Sequence, residues 1–571
     1  MGAGWCGTNR RDEASLGMGS VLDGCTPWPP DAADRYRRKG YWQGKTLGDL
    51  VDAWAAEYGE REAIVCGRER VTYRELQRRV DRLAYQLVRL GLRPTERIVV
   101  QLPNVAEFIY LYYACAKVGV IPVMALPPHR YSEISYLVEF SEAAAYAIPA
   151  SFRGFDYQQL AAEVRQAVPG LRHVLVVGDG ARSDMVSMAE LLAEPAEQTE
   201  SVERLAGAGP DPSDVALFLL SGGTTGLPKL IPRTHDDYAY NSRASAEVCG
   251  FGPDTVYLVA LPISHNFPLS SPGIQGALQS GGKVVLTNNA EPAGAFALIE
   301  RERVTATALV PALAMRWIEG PERERFDLSS LRLLQVGGAR LNPEPARRVK
   351  PALGCQLQQV FGMAEGLLNY TRLDEPEEAI VETQGRPVSP ADEIRIVDED
   401  DRDVPPGEPG NLLARGPYTI RGYYRAPEHN RRAFTSDGYY RTGDVVRLHS
   451  SGNLIVEGRE KDMINRGGEK ISAEEVENLI LAHPAVFNAA AVAMPDPVLG
   501  ERTCAYVILK PGANLSFEEL IAFLEKQQIA KFKLPERLEL VDSFPLTNVG
   551  KVSKKDLRED IARKLKAEGK G

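Results

Sequence analysis

From Arg97 onward, short apolar runs, each long enough for one strand, alternate with longer stretches in which apolar residues recur at helical spacing. No other feature constrains the chain as much. Strands joined through helices must cross over and lie parallel, and a parallel sheet needs helices on both faces. RIVVQL reads as a strand, Val105 to Lys117 as a helix and VIPVMAL as the next strand; HVLVVGD, ALFLLSG, VYLVALP, KVVLTN, VTATALVP and LRLLQVGG continue the series. Their near-continuous Val, Leu and Ile content predicts burial on both faces. The expected fold class is α/β, with doubly wound sheets in a large N-terminal domain.

The texture changes twice. After about Gly385, turn-rich segments such as VPPGEPGNLLARG predict a small β-rich subdomain over residues 385–459. From about Glu460, helices at Ala473 to Ala482 and Phe517 to Gln528 and strands near AAAVAMP and TCAYVILK predict a separate α+β domain over 460–571. The boundary falls near Gly458 to Asp462. Residues 1–45, with WPP and RRK, read as an arm with an ordered portion, which leaves 46–459 as the large domain. No period of 20 to 50 residues recurs, so a repeat architecture is not expected.

Composition excludes several classes. A chain of 571 residues with 44% hydrophobic and 25% charged content is an ordinary globular protein, and a net charge of −10 removes the basic footprint of general nucleic-acid binding. Seven cysteines, none in C-x-x-C spacing, read as reduced thiols. The N-terminal residues lack the apolar core of a signal peptide, and the most apolar stretch, Phe108 to Leu126, is broken by Lys117, Gly119 and Pro122. A cytoplasmic location without membrane insertion is expected.

SGGTTGLPK, Ser221 to Lys229, directly follows the apolar run ALFLL. Gly222, Gly223 and Gly226 let backbone N–H groups close on phosphate oxygens, the hydroxyls of Ser221, Thr224 and Thr225 add donors, and Lys229 adds charge. These residues predict a polyphosphate cradle. It is not the G-x-x-x-x-G-K-[ST] arrangement, because Pro228 precedes Lys229 and Leu230 follows it.

This loop resembles that of the adenylate-forming superfamily of acyl-CoA synthetases, nonribosomal adenylation domains and luciferases. QQVFGMAEG at Gln358 to Gly366, YRTGD at Tyr440 to Asp444, GREKDMINRGGEKISAEEVE at Gly458 to Glu477 and PLTNVGKV at Pro545 to Val552 resemble its other motifs, in the same order. The resemblance spans most of the chain from Ser221 onward. It implies coupling of a carboxylate to ATP to give an acyl-adenylate and pyrophosphate, with transfer of the acyl group to a thiol. It also implies that the C-terminal domain is mobile.

By resemblance, Lys551 bridges the attacking carboxylate and the phosphate, and Glu365 holds Mg²⁺, a hard cation that prefers carboxylate oxygen. Phe361 stacks beside adenine, and Gly337, Gly338 and Gly362 belong to the ATP site. Asp444 accepts from the ribose hydroxyls and Arg459 assists nearby, with an interdomain salt bridge as its alternative role. Lys461 is the hinge residue, and Gly467 and Gly468 give a pantetheine arm close backbone approach.

LPISHNFPLSSPG, Leu261 to Gly273, bears on the choice of acid. Amino-acid-activating relatives usually carry an aspartate where Asn266 stands. An amide does not neutralise an ammonium but does hydrogen-bond a phenolic hydroxyl, so an acid without an amine is expected. HNFPLSSPG, FGMAEGLLNYTRLD, TQGRPVSP and TPWPPDAADRYRRKGYW resemble stand-alone aryl acid adenylating enzymes of siderophore assembly, acting on 2,3-dihydroxybenzoate or salicylate. The pocket implied is Asn266, Phe267, Ser271, Ala339, Val360 and Leu368, with His265 beside the carboxylate and phosphates. Ser271 fits the dihydroxybenzoate members and Leu368 the salicylate members, so both acids stay open, as does a hydroxylated heteroaryl acid.

No carrier motif follows Lys551, so a separate aryl carrier protein is the expected acceptor and coenzyme A the rival. Lys531, Lys533, Lys551, Lys554 and Lys555 offer either a face for an acidic carrier or a simple solvated surface. A noncatalytic nucleotide-binding protein is the alternative of another class, and retention of Lys551, Glu365 and Asp444 argues against it.

Overall fold

The computed structural model describes residues 22–199, 209–221, 228–459, 462–466, 469–496, 499–527, 531–547 and 551–569. Two mainly parallel sheets dominate. The nine-stranded sheet has six central parallel strands, in order Gln356–Gly362, Leu333–Gly337, Ala306–Leu309, Val256–Val259, Lys283–Leu286 and Glu62–Cys66, with antiparallel strands at both edges. The seven-stranded sheet runs Leu230–Thr234, Val215–Leu220, Ile121–Met124, Arg97–Val100, Ala143–Pro149, His173–Val177 and Val186–Ser187, with only the first of these antiparallel to its neighbour.

Each apolar run named from the sequence lies on one of these strands. The α/β expectation therefore holds, for the reason given: strands buried on both faces need no polar alternation. Several strands were not anticipated, among them Glu62–Cys66, Val186–Ser187 and Gln356–Gly362, and one further case shows why. Ala143–Pro149 is wholly buried but is built largely of alanine, which carries little strand propensity.

The helix Ala106–Val118 holds the two sheets together. Almost all of its residues are buried, and it contacts Ile121–Met124 in one sheet and Glu62–Cys66 in the other. A helix apolar on every side belongs inside a large core. Gly119, at φ 71°, ends it in the left-handed conformation that suits glycine. Among the described residues no helix is long and apolar enough to cross a membrane.

Residues 22–45, in the segment read as an arm, pack on the large body. Tyr36 and Trp42 join its hydrophobic core, the Trp42 indole donates to Pro417 O at 2.9 Å, and Arg37 pairs with Asp236 at 3.2 Å. Beyond the parallel sheets lies an antiparallel four-stranded sheet of Glu393–Val397, Gly410–Arg415, Tyr440–Leu448 and Leu454–Arg459.

The C-terminal segment has its own sheet, in which Val486–Asp496 and Gly500–Leu509 form a long hairpin flanked by Ile464–Arg466 and Arg537–Leu540. It also has its own cores. Ile464, Val476, Ile480, Val507, Leu520 and Leu524 cluster on one face and Val492, Tyr506, Leu557, Ile561 and Leu565 on the other, with no residue of the large body in either cluster.

Candidate active site

The phosphate-binding candidate sits on the hairpin of Val215–Leu220 and Leu230–Thr234. Its base is closed by Ser221 N donating to Lys229 O and Lys229 N donating to Ser221 Oγ, both at 3.0 Å. Gly222, Gly223, Thr224, Thr225 and Gly226 lie outside the described residues, as do Lys461, Gly467 and Gly468. Lys229 Nζ stands 5.6 Å from the centre of the Tyr423 ring. The Tyr423 hydroxyl donates to Glu365 Oε1 at 2.8 Å and meets the Tyr440 hydroxyl at 2.9 Å. Neither tyrosine was assigned a role from the sequence, because Tyr423 meets Glu365, and Tyr440 meets Tyr423, only through tertiary packing.

Asp444 and Arg459 are brought opposite each other by the register of Tyr440–Leu448 against Leu454–Arg459. Arg459 Nε lies 2.7 Å from Asp444 Oδ1, and Arg459 Nη1 donates to Thr442 O at 3.2 Å. This is a pair within one sheet, which replaces the interdomain bridge considered for Arg459. Among the described residues, Asp444 Oδ2 is buried without a hydrogen-bond partner. Burial pushes the Asp444 carboxyl up, against the opposing pull of Arg459 and Lys551. A buried acceptor of this kind is costly unless a donor arrives, and a ribose hydroxyl is such a donor.

Lys551 reaches the large body from the C-terminal one. Thr547 N donates to Lys551 O at 2.7 Å and Lys551 N donates to Thr547 Oγ1 at 3.1 Å, which fixes the turn that carries it. Its side chain lies against Gly338: a Cβ there would sit 3.2 Å from Lys551 Cε and 3.8 Å from Nζ, and Gly338 has φ +84°. A side chain there would crowd this approach, and the positive φ favours glycine.

His265 caps the short helix Asn266–Ser270, its Nδ1 accepting from Phe267 N at 3.2 Å. Burial, with Lys551 adding to it, pushes the His265 pKa down to about 4. The ring is therefore neutral near pH 7, and with Nδ1 accepting, its proton is assigned to Nε2 as a donor. Asn104, a residue with no sequence signal, holds this loop: its amide donates to Leu261 O at 2.9 Å and its Oδ1 accepts from Ile263 N at 2.8 Å.

Asn266 Oδ1 accepts from the Tyr238 hydroxyl at 2.9 Å and Asn266 Nδ2 donates to Ser271 Oγ at 3.2 Å. A Cβ at Gly337 would fall 3.0 Å from the Phe267 ring, and one at Gly362 would fall 2.4 Å from Leu368 Cδ2, so both glycines make room for implied pocket residues. Phe267, Ser271, Val360 and Leu368 are buried, Phe361 is half-buried, and Ala339 and Gly362 are exposed.

Beside this centre, Lys554 Nζ pairs with Glu477 at 2.8 Å and Arg558 with Asp462 at 2.7 Å within the small body. Between the two bodies, the Ser472 hydroxyl donates to Glu457 O, and Glu474 of the small body lies within electrostatic reach of Arg340, which donates to Val456 O at 3.0 Å inside the large body. Burial pushes the Glu474 carboxyl up to about 7, against the pull of Lys554 and Arg340. Two of the lysines considered for a carrier face are thus engaged within the chain, Lys554 with Glu477 and Lys533 with Glu475 at 2.8 Å. Each is better accounted for by its ion pair.

The sequence pattern of the AMP-binding enzyme family matches residues 51–424, and that of the AMP-binding enzyme C-terminal domain matches 475–551. The chain belongs to the AMP-binding enzyme family. It is 56% identical to the 2,3-dihydroxybenzoate-AMP ligase of Bacillus subtilis over 96% of this chain and 99% of that one. It is also 56% identical to a salicylyl-CoA synthase / salicylate adenylyltransferase of Streptomyces over 95% of this chain and 98% of the other. Among solved structures, the apo form of Mycobacterium smegmatis MbtA is similar with a TM-score of 0.73 and 46% identity, covering 95% of this chain and 100% of that one.

Proposed function

We propose that this enzyme activates 2,3-dihydroxybenzoate or salicylate as the aryl-adenylate and passes the aryl group to the phosphopantetheine thiol of a separate carrier protein. The reading rests on one convergence: Lys551 from the C-terminal body and His265 from the large body meet beside Asn266, whose buried amide carries no charge. Such a cleft suits an aromatic acid with an ortho hydroxyl better than an amino acid.

In the first half-reaction a carboxylate oxygen attacks the α-phosphorus of ATP, the bond to the bridging oxygen breaks, and pyrophosphate leaves with its electron pair. Negative charge accumulates on the attacking and leaving groups, and fixed donors and cations offset it. Lys551 supplies a cation, His265 an Nε2–H donor and Lys229 a cation at the base of the phosphate loop. Asp444 Oδ2 accepts from the ribose. In the second half-reaction the thiol sulfur bonds to the acyl carbon, AMP departs with the C–O electron pair, and the thiol proton passes to solvent.

Glu365 is the residue that would hold Mg²⁺. Among the described residues there is no cluster of three or more His, Cys, Asp or Glu side chains suited to a metal. A single carboxylate fits a cation that otherwise takes phosphate oxygens and water. When bound, it would neutralise phosphate charge.

ATP–pyrophosphate exchange across salicylate, 2,3-dihydroxybenzoate, benzoate and 3-hydroxypicolinate tests the reading. Exchange with an ortho-hydroxylated acid is expected, and failure of folded enzyme to exchange with any member in the presence of magnesium would overturn it. Loading assays with coenzyme A against a phosphopantetheinylated aryl carrier identify the acceptor, with the carrier expected to be preferred.

A further inference from the structure

Behind the acid pocket runs a chain of hydrogen bonds whose direction is set at an arginine. Arg233 is fully buried and can only donate. Its Nε donates to Asp237 at 2.8 Å, its Nη1 to Ala364 O at 2.9 Å, and its Nη2 to Tyr418 O at 3.2 Å and Asn241 Oδ1 at 3.4 Å. With Asn241 Oδ1 facing that donor, the Asn241 amide nitrogen must face the other way. It donates to Ser270 O at 2.6 Å and Ser270 Oγ at 3.3 Å.

Ser270 Oγ therefore accepts on one side, and its hydroxyl lies close enough to the Tyr238 phenol to act on it electrostatically. Tyr238 has one proton, and it goes to Asn266 Oδ1 at 2.9 Å. The carbonyl end of Asn266 is thus occupied from behind. Its amide nitrogen is turned toward Ser271, which takes one of the two N–H protons. Asn241, Ser270 and Tyr238 are all fully buried, so a reversed amide would set donor against donor without water to repair it.

We propose that Tyr238 is a positioning residue that makes Asn266 present N–H rather than C=O to the aryl acid, and so selects an ortho substituent that accepts a hydrogen bond. This deepens the proposed function and rests on Asn266 being a substrate residue. The chemistry is complementary. An ortho hydroxyl donates its proton to the neighbouring carboxylate within the acid itself and leaves oxygen lone pairs for the protein. An ortho amine has its lone pair delocalised into the ring and offers N–H, which meets another donor. A site with an unpaired buried donor rejects such an analogue.

The test measures kcat/KM by ATP–pyrophosphate exchange for salicylate, 2-aminobenzoate and benzoate, in the parent, Tyr238→Phe, Ser270→Ala and Asn266→Asp. Tyr238→Phe keeps the ring and frees the Asn266 amide to turn. The ratio of salicylate to 2-aminobenzoate is expected to fall by about tenfold, the scale of one buried hydrogen bond, with benzoate little changed. Ser270→Ala breaks the chain one link further back and is expected to move the same ratio in the same direction by less. Asn266→Asp, which presents only acceptors, is expected to favour 2-aminobenzoate. Equal losses on all three acids in both Tyr238→Phe and Ser270→Ala would reduce the chain to a structural role and overturn the proposal. An unchanged ratio in those two variants with a changed ratio in Asn266→Asp overturns the role of Tyr238 alone. An unchanged ratio in Asn266→Asp overturns the reading of Asn266 itself.

Discussion

The acid pocket and the seam between the two bodies are built from opposite materials. Behind Asn266, hydrogen bonds run through neutral groups from a buried Arg233–Asp237 pair, and all of them belong to the large body. At the seam, charged and titratable groups take part: Glu474 lies within reach of Arg340, Lys551 lies against Gly338, and the Ser472 hydroxyl donates to Glu457 O. A neutral network inside a packed core is indifferent to pH near neutrality and resists rearrangement, which suits selection. A contact that carries charged and titratable groups is weakened by water and by titration.

The strongest way to break this contrast is Lys551→Ala. Adenylation, read as pyrophosphate exchange, is expected to fall by at least about 10²-fold, the scale of one preorganised charge contact, while transfer from preformed aryl-adenylate to thiol stays largely intact. Equal loss in both half-reactions would mean that the seam supports both poses. Asp444→Ala comes next, with KM for ATP expected to rise about 10- to 100-fold and KM for the acid little changed, the scale of removing a buried acceptor from a paired donor. On the pocket side, Leu368→Val removes one methylene, and the preference is expected to move toward 2,3-dihydroxybenzoate over salicylate by about tenfold in kcat/KM.

The smallest effect concerns Glu474. Its carboxyl is raised to about 7 in the fold, so the protonated form is the one the folded seam favours. Stability from this group is complete below the ordinary glutamate value of about 4.3 and is lost as pH rises through the folded value. Glu474→Gln stays neutral throughout. Its Tm relative to the parent is therefore expected to climb between about pH 4.3 and pH 7 and to level off above, as read by thermal melts across that range.

The parallel sheets were legible because their strands are continuous apolar runs, and the helix Ala106–Val118 because it is apolar all round. Ala143–Pro149 was not, since alanine leaves no strand pattern for a local reading to detect. Tyr36 and Trp42 were set apart because the Pro- and Arg-rich residues around them read as an arm with an ordered portion, and the core of the large body takes their rings. Within the site, Lys551, Asp444, Glu365, His265 and Asn266 could be named in advance because each stands in a run that resembles a motif of the adenylate-forming superfamily. Tyr238, Asn104, Tyr423 and Arg340 were not, because each acts on a partner far away in sequence. Nothing near Tyr238 announces that its hydroxyl ends at Asn266, 28 positions later.

Gly338 has a consequence for how the cycle can be tuned. With no methyl group on its α-carbon, it leaves a clearance that the stem of Lys551 fills. A methyl group there would press on the end of that stem at 3.2 Å, on a backbone whose φ of +84° side chains rarely adopt, so added bulk at this one position is felt where the small body touches the large one.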